Sequence, residues 1–309
     1  MIKTSPIVSV IIPNYNYAPF LDERFRSVLN QTYQNFEVII LDDCSTDDSL
    51  DIINKYKINP HVSQIVTNKI NSGSPFKQWQ KGFELAKGEL IWIAESDDSC
   101  SLDFLSRMVP LFKKESVVFS FCRSQHMTEN GRLLSTWHNE ISGDFCCKGL
   151  DLIERYLGVY NLVTNASSVL FRRESALSVS QQYVNYRGAG DWLFWIELAQ
   201  IGDVAFCDEA LNFFREHSAN TTRNCYESGQ NYIEGKLIFD YLKENKLISK
   251  QAQIRNRREH VNAILKRKFE NEQTRKNLLR TWRYGVKYKT VSSLSNLIHR
   301  IDGRLWRLL

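Results

Sequence analysis

The sequence GELIWIAESDDSC, residues 88–100, places a run of apolar residues directly before three carboxylates, Glu95, Asp97 and Asp98. The uninterrupted apolar run from Leu90 to Ala94 predicts a strand that is buried on both faces. Three like charges at the end of such a strand are costly unless a positive group neutralises them. The stretch therefore predicts a buried strand whose carboxyl end holds a charged site.

Strand-like and helix-like patterns alternate along the first hundred residues. Apolar strand patterns occupy residues 7–12, 37–41, 62–68 and 89–94, and helical patterns fall between them, as in FLDERFRSVLNQ at 20–31. This alternation predicts an α/β fold with a doubly wound, mainly parallel, Rossmann-like sheet flanked by helices. Ser45 with Asp48 further predicts a capping box for the second helix.

Polar residues follow three of these predicted strands. They are Asn14, the pair Asp42 and Asp43, and the segment from Glu95 to Asp98. Ligands bind at the carboxyl ends of strands in such sheets, so these residues are expected to share one edge. A hard divalent cation suits crowded carboxylates and commonly bridges them to substrate phosphates. The alternative is that the aspartates after the fourth strand only cap a following helix.

The composition is that of a globular chain. It has 309 residues, of which 43% are hydrophobic, and a net charge of +5, which is ample for a packed core. The sequence contains no run of about 18 uncharged apolar residues, and its N-terminus lacks the apolar region of a signal peptide. Its 7 cysteines, with no CxxC pair, indicate reduced thiols. We therefore expect a cytoplasmic protein.

The C-terminal part of the chain is basic. Residues 250–309 carry 16 Lys and Arg against 4 Asp and Glu, a balance of +12, and the preceding residues carry 24 against 31, a balance of −7. Beyond about residue 228 the pattern is helical and increasingly basic, which predicts one folded domain over 1–227 and a helical basic extension over 228–309. Cations with Trp282 and Trp306 favour peripheral contact with the inner face of the cell membrane. The alternatives are nucleic-acid binding, for which no motif is present and which is not expected, and a helical hairpin packed on the domain.

An ordered set of motifs resembles the inverting glycosyltransferases of family 2, which have the GT-A fold. The similarity covers residues 5–222, and its marks are PNYN (13–16), SVLNQTYQNFEVIILDD (27–43), Ser45-x-Asp47, Asn71-x-Gly73, AKGE (86–89), ESDD (95–98), GAGDWLFWIELAQIG (188–202) and FFREHSANTT (213–222). The resemblance implies an enzyme of bacterial surface-polysaccharide synthesis. It would move a sugar from a nucleotide-diphosphate donor, with a UDP-sugar favoured, to a hydroxyl of a glycan or lipid-linked saccharide acceptor.

The resemblance implies a donor site built from several strand ends. Asp42 matches the acidic residue that contacts the nucleobase, where a carboxylate can accept a hydrogen bond from the uracil imide N–H. Asn71 and Ser96 are assigned to the same donor site. The turn that lines the base and ribose is matched by Pro13, Asn14 and Tyr15; the alternative is an ordinary turn with a core tyrosine.

The resemblance also implies Mn²⁺ or Mg²⁺ beneath the donor diphosphate. Asp97 matches the carboxylate ligand, and Asp98 and His217 are assigned to the same metal, because oxygen ligands and neutral imidazole both suit such ions. Arg215 would balance phosphate charge. Glu95 matches the first acid of the motif, towards the donor's ribose or sugar, although the family usually has the shorter aspartate there.

Asp191 matches the family's catalytic base, which removes the proton from the acceptor hydroxyl as that oxygen attacks the anomeric carbon. An apolar surround would raise its pKa towards the useful range, and such residues follow directly as Trp192, Phe194 and Trp195. The alternative is an aspartate that only caps the next helix. The family usually has Glu-Asp here, whereas this chain has Gly190-Asp191.

The segment 71–89 departs from the family, which often has an Arg-Asn pair before the glycine. Lys77 can supply positive charge near the phosphates, and Trp79 can stack on a ring of the substrate. Equally, Trp79 and Phe83 are spaced to lie together on the buried face of a helix.

Two other functions remain open at this point. A sugar nucleotidyltransferase would share a doubly wound, Mg²⁺-using domain, but it should carry a Gly-rich phosphate loop after the first strand, which PNYNYAPF does not provide. A non-catalytic GT-A-like subunit bound to glycan or membrane would keep the fold and lose Asp97, Asp191 and His217.

Overall fold

Four parallel strands form one half of the sheet in a computed structural model of the chain, which describes residues 8–136, 141–163, 165–218 and 220–283. Their order is β3-β2-β1-β4, and every neighbouring pair is parallel. The elements of this half are β1 (Val8–Asn14), α1 (Ala18–Leu29), β2 (Phe36–Asp42), α2 (Ser49–Tyr56), β3 (Val62–Thr67), α3 (Pro75–Leu85) and β4 (Leu90–Ile93). The strand and helix patterns of the sequence are confirmed here.

Side chains of these strands alternate between two apolar layers, as the two-residue repeat of a strand requires. Ile11 and Ile39 face the layer that contains α3, and Val10 and Val38 face the layer that contains α1 and α2. Because both faces are covered by helices, the strands consist of nearly continuous apolar residues.

The second half of the sheet is mixed rather than parallel. From β4 the order continues β4-β9-β6-β10-β5, with β7 beside β6 and β8 beside β10. Only the β6–β10 pair is parallel among these neighbours. The elements are β5 (Ser99–Cys100), α4 (Phe104–Met108), β6 (Val117–Thr128), β7 (Leu133–Thr136), β8 (Phe145–Lys148), α5 (Gly149–Leu152), β9 (Val169–Arg172), α6 (Arg173–Ser178), α7 (Gly190–Ile201) and β10 (Asp203–Glu216).

Four helices follow the sheet in the described part of the chain. They are α8 (Thr221–Glu227), α9 (Gln230–Glu244), α10 (Lys250–Lys266) and α11 (Glu272–Arg283). The imidazole of His260 stacks between the indoles of Trp192 and Trp282, at ring centroid distances of 5.8 and 4.0 Å. These helices therefore share one apolar cluster with α7.

This packing gives Trp282 a different role from the one predicted. Its side chain is buried and its indole N–H donates to the carbonyl oxygen of Tyr232 at 3.1 Å, so Trp282 belongs to the core and does not form a surface anchor. The packed-hairpin alternative describes residues 250–283 correctly. Trp306 lies outside the described residues. No helix in the described ranges has the length and apolar character needed to cross a membrane.

The predicted capping box of α2 is wrong. Ser45 Oγ accepts a hydrogen bond from the backbone N–H of Asn16 at 3.0 Å, and Asp48 forms no side-chain cap. Oδ1 of Asp47 instead accepts from the backbone N–H of Ser49, also at 3.0 Å. Ser45 thus joins the first two strand ends.

Candidate active site

A cavity of about 360 Å³ opens at the carboxyl ends of β1, β2 and β4. Its wall also includes the loop before α7 and the start of α8. The size suits a substrate of moderate molecular weight. Its lining residues are Pro13, Asn14, Tyr15, Tyr17, Asp43, Asn71, Gly73, Ser74, Pro75, Phe76, Gln78, Trp79, Glu95, Asp97, Asp98, Asn165, Ala166, Arg187, Gly188, Asp191, Phe214, Asn220, Thr221 and Thr222.

The end of β1 contributes three predicted residues to this wall. Pro13, Asn14 and Tyr15 all line the cavity, and the Tyr15 side chain is 45% exposed. The Asn14 amide donates to Oδ1 of Asp42 at 2.8 Å. The turn therefore borders the cavity, and its contact with the base and ribose stays a prediction.

Asp42 itself is turned away from the cavity, so its predicted contact with a nucleobase needs correction. Its side chain is 0% exposed, and its two oxygens accept from Asn14 and from the backbone N–H of Ser45. The neighbouring Asp43 faces the cavity instead. Adjacent residues of a strand point to opposite sides, which is why only one of the two aspartates can reach the ligand space.

Asp43 holds the loop that forms one side of the cavity. Its carboxylate accepts from the backbone N–H and hydroxyl of Ser72, from the amide of Asn68 and from the amide of Gln78. Asn71, which lies in this loop and lines the cavity, donates to the carbonyl oxygen of Asp43 at 3.1 Å. The loop is therefore fixed before any ligand binds.

Lys77 and Trp79 take opposite positions on α3. Lys77 is exposed, is absent from the cavity wall and donates to the carbonyl oxygen of Ser72, which corrects its predicted phosphate contact. Trp79 is buried in an aromatic cluster, and its indole N–H donates to Oε1 of Glu95 at 2.9 Å. Trp79 is thus a core residue that also positions an acid of the site.

Glu95 reaches the cavity, whereas Ser96 does not. Burial, and then the charge of Asp97, raise the pKa of Glu95 to about 8. Ser96 is fully buried and donates to the carbonyl oxygen of Pro13 at 2.7 Å. Ser96 therefore ties β4 to β1, and its predicted contact with the donor is corrected.

Asp97 and His217 form the candidate metal pair. Nε2 of His217 lies 3.0 Å from Oδ2 of Asp97, and the imidazole packs against Tyr17 and Phe20. Oδ1 of Asp97 has no hydrogen bond within the part of the chain that the structure describes, and Asp97 lines the cavity.

Asp98 borders the cavity, but both of its oxygens are engaged by a buried polar network, so its predicted metal contact is corrected. Its Oδ2 accepts from the Asn165 amide at 2.8 Å and the Ser167 hydroxyl at 2.7 Å, and the buried guanidinium of Arg24 lies 3.9 Å away. The backbone N–H of Arg215 donates to its Oδ1. These bonds occupy the carboxylate and fix the chain that carries Asp97.

Arg215 is equally engaged with the protein. Its guanidinium is buried, donates to the carbonyl oxygens of Asp97 and Glu129, and forms an ion pair with Glu23. It does not line the cavity, so its predicted contact with phosphate is corrected. Arg215 supports the acidic loop from behind.

The sequence reading missed Arg24, the second buried arginine behind the acidic loop. Its Nε donates to the carbonyl oxygen of Glu95 at 2.8 Å. A signal was present, because Arg24 falls within the apolar stripe of α1, between Leu21 and Phe25. A cation on the buried face of a helix indicates a buried partner.

Asp191 begins α7 and lines the cavity. Its Oδ2 accepts from the amide of Asn161 at 3.0 Å, and its Oδ1 accepts from the backbone N–H of Trp192 at 2.7 Å. Burial raises the pKa of this carboxyl to about 7. A carboxylate with such a pKa can accept a proton near neutral pH.

The missing acid before Asp191 has a steric explanation. A Cβ at Gly190 would lie 2.6 Å from the carbonyl oxygen of Tyr183 and 2.7 Å from the ring of Phe76. No side chain fits there. A buried carboxylate does lie beside this loop: that of Glu234 in α9 accepts from three backbone N–H groups just before α7.

The site residues fit a divalent cation. The described residues contain no cluster of three or more acidic, histidine or cysteine side chains arranged to hold a metal ion. A divalent ion that is bound with a diphosphate needs few protein ligands, because phosphate oxygens complete its coordination. The free oxygen of Asp97 faces the cavity. The imidazole of His217 is buried, does not line the cavity and lies behind Asp97 on its Oδ2, so it completes a partial set of ligands only together with that carboxylate.

Two comparisons with solved structures support the fold of the sheet and its flanking helices. The solved structure of Staphylococcus aureus TarS 1–349 with UDP-GlcNAc has a TM-score of 0.61 at 19% identity, and the match covers 93% of this chain and 75% of that one. The mannosyltransferase PcManGT of Pyrobaculum calidifontis, solved with GDP-Man and Mn²⁺, has a TM-score of 0.60 at 14% identity over 98% and 81% of the two chains. The predicted GT-A fold is thereby confirmed.

Comparison of sequences gives the family. The chain is 27% identical over 234 residues to the glycosyltransferase TuaG of Bacillus subtilis (strain 168), which is named for teichuronic acid biosynthesis; the match covers 74% of this chain and 87% of TuaG. The family model described as glycosyl transferase family 2 matches residues 9–167, which is more than half of the chain. The chain therefore belongs to glycosyl transferase family 2, the family of inverting glycosyltransferases that its motifs resemble.

Proposed function

We propose that the chain transfers a sugar from a nucleotide-diphosphate donor to a hydroxyl of a glycan or lipid-linked saccharide during synthesis of a surface polysaccharide, and that the reaction depends on a divalent metal. One observation carries this proposal: Asp97, paired with His217, and Asp191 face the same cavity. A group for the leaving diphosphate and a group for the acceptor proton are therefore present in one space.

The donor nucleotide is proposed to lie along the Pro13–Tyr15 turn and the loop held by Asp43. Relatives of the same fold support a nucleotide-sugar, because solved structures are named with UDP, UDP-GlcNAc and GDP-Man. With Asp42 buried, uracil preference no longer rests on that residue. UDP remains the first nucleotide to test.

Asp97 and His217 would hold Mn²⁺ or Mg²⁺ against the donor diphosphate. The ion, when bound, offsets negative charge on the leaving nucleoside diphosphate. The chain's own contribution is to fix the ligands: Arg24 and Arg215 hold the backbone of the acidic loop, and Tyr17 and Phe20 fix the imidazole ring.

Asp191 would act as the base. Its carboxylate takes the proton of the acceptor hydroxyl while that oxygen attacks the anomeric carbon, and the bond from this carbon to the diphosphate oxygen breaks. Attack from the face opposite the leaving group inverts the anomeric centre. Asn161 and the Trp192 N–H keep the carboxylate oriented.

The relatives and the charge pattern support an acceptor class and a location. Relatives are named for teichuronic acid and for poly(ribitol-phosphate) glycosylation, which supports a surface-polysaccharide acceptor. A lipid-linked acceptor would place the enzyme at the cytoplasmic face of the membrane, where the basic C-terminal region meets anionic lipid.

Titration calorimetry of UDP into the full-length protein tests the proposal. UDP should bind in the presence of Mn²⁺, and both removal of the metal and the Asp97→Ala substitution should weaken binding at least about tenfold. Asp51→Asn, an exposed acid on α2, is the matched control. Absence of binding by UDP, GDP and dTDP, with and without metal, would overturn the proposed donor site.

A further inference from the structure

The cavity wall is strongly acidic and has one basic side chain. Asp43, Glu95, Asp97, Asp98 and Asp191 line it, and among the described residues that line it Arg187 alone is basic. The carboxylates of this wall repel anions, so the guanidinium is the group of the described wall that can attract an anionic ligand.

The guanidinium of Arg187 is available for a ligand. The side chain is exposed and forms no hydrogen bond or ion pair with any residue that the structure describes. This separates it from the other two arginines near the site, since Arg24 and Arg215 are buried and committed to protein partners.

The backbone that carries Arg187 is held in place. One oxygen of the buried Glu234 carboxylate accepts from the N–H of Arg187 at 2.7 Å, and the other accepts from Gly188 at 2.9 Å and Ala189 at 2.8 Å. The Gln230 amide donates to the same carboxylate at 2.8 Å. A free cation is thus presented from a fixed loop directly before the helix that carries Asp191.

We propose that Arg187 binds an anionic group of the acceptor, a phosphate or a carboxylate, beside the hydroxyl that Asp191 deprotonates. This inference rests on the proposed function. The donor diphosphate is assigned to Asp97 and His217, at the ends of β4 and β10, whereas Arg187 belongs to the loop on the Asp191 side. A guanidinium fork matches the two oxygens of a phosphate or carboxylate.

The test compares charged and neutral sugars as ligands of the full-length protein saturated with UDP and Mg²⁺. Glucose 6-phosphate, glucuronate and glucose are titrated and followed by ligand-observed NMR, which reads millimolar affinities. One or both charged ligands should bind the wild-type protein at least about tenfold more tightly than glucose. A preference for glucose 6-phosphate indicates a phosphate-bearing acceptor, and a preference for glucuronate indicates an acidic sugar.

Three variants assign the preference to the guanidinium. Arg187→Gln should remove it and leave glucose binding unchanged, whereas Arg187→Lys should keep part of it because the charge remains. Lys57→Gln removes an exposed cation at the end of α2 and should have no effect. UDP affinity should stay within about twofold in all three variants.

Two outcomes would overturn the proposal. Equal binding of charged and neutral sugars by the wild-type protein would show that Arg187 selects no anionic acceptor. Weaker UDP binding by Arg187→Gln would assign the guanidinium to the donor diphosphate. If UDP, GDP and dTDP all fail to bind the wild-type protein, the proposed donor site fails by itself, and the sugar titrations without nucleotide still decide whether Arg187 binds an anion.

Discussion

Nε2 of His217 lies 3.0 Å from Oδ2 of Asp97, although 120 positions separate the two residues in the sequence. Asp97 follows β4 in the parallel half of the sheet, and His217 follows β10 in the mixed half. The contact therefore joins the two halves at the cavity. A metal site at this point depends on both.

Substitution of His217 tests that dependence. His217→Phe keeps an aromatic ring against Tyr17 and Phe20 but removes the ligand nitrogen, so Mn²⁺-dependent UDP affinity should fall about 10- to 100-fold, while metal-free affinity should not change. Calorimetry with and without Mn²⁺ measures both. Unchanged affinity in Mn²⁺ would show that the imidazole only orients Asp97 or packs.

Substitution of Asp191 separates binding from chemistry. Asp191→Asn should lower kcat by about 10²- to 10⁴-fold because it removes the base, and UDP affinity should not change. In the wild-type enzyme the base must be ionised, so kcat/KM should rise with pH through about 7 and then level off. Turnover by the Asn variant at the wild-type rate would assign the base elsewhere.

Glu234 should influence this pH profile. Its negative charge helps to raise the pKa of Asp191, so Glu234→Gln should move the acid limb of kcat/KM to lower pH. Tyr226, the other titratable group that faces Asp191, has a raised pKa and stays neutral through this range. Glu244→Gln, an exposed acid on the same helix, should leave the limb in place.

The same substitution carries a cost in stability. A glutamine side chain has one acceptor oxygen for three backbone N–H groups, so unfolding free energy should fall by about 1–3 kcal/mol. Urea denaturation measures this change. A loss of stability with an unmoved acid limb would make Glu234 a purely structural residue.

Cys44 has a left-handed backbone conformation that favours glycine. Its φ is +65°, which costs a residue with a Cβ about 1 kcal/mol. Cys44→Gly should therefore leave the unfolding free energy unchanged or raise it by up to about 1 kcal/mol. Cys44→Ala removes the thiol but keeps the Cβ, so it should not raise the unfolding free energy. Denaturant unfolding compares the two. Equal stability of both variants would mean that the turn carries no strain.

Trp282 provides a test of the C-terminal helices. Because the indole is buried against His260 and Phe239, Trp282→Ala should lower unfolding free energy by about 3–5 kcal/mol. At a temperature where the variant is folded, the fraction of protein that sediments with anionic lipid vesicles should equal that of the wild-type protein. Weaker vesicle binding with unchanged stability would restore the role of a membrane anchor.

Local patterns were sufficient for the parallel half of the sheet, because each strand is an apolar run ended by a polar residue and each helix has a regular stripe. The mixed half was less predictable, since antiparallel neighbours such as β4 and β9 are distant in sequence. The domain boundary predicted at residue 227 falls between α8 and α9, within a run of packed helices, and stays a prediction.

The site was predicted as a set of strand ends joined by Asp191 at the start of a helix, and Asn14, Asp97 and Asp191 all line the cavity. The pattern could not say which way individual side chains point. Asp42 and Arg215 are buried by tertiary contacts that their spacing does not show. Glu234 could not be found from the motif, because the chain brings it to α7 from another helix.

Glu234 also determines when the cavity wall becomes complete during synthesis of the chain. The chain is synthesised from its N-terminus, and the loop before α7 receives its carboxylate only when α9 has folded against it. A nascent chain that ends at residue 222, with the last family motif, would have the strand ends of the cavity. It would lack α9, and the loop before α7 would not be fixed. Activity is therefore expected only after α9 has been synthesised and has docked against this loop.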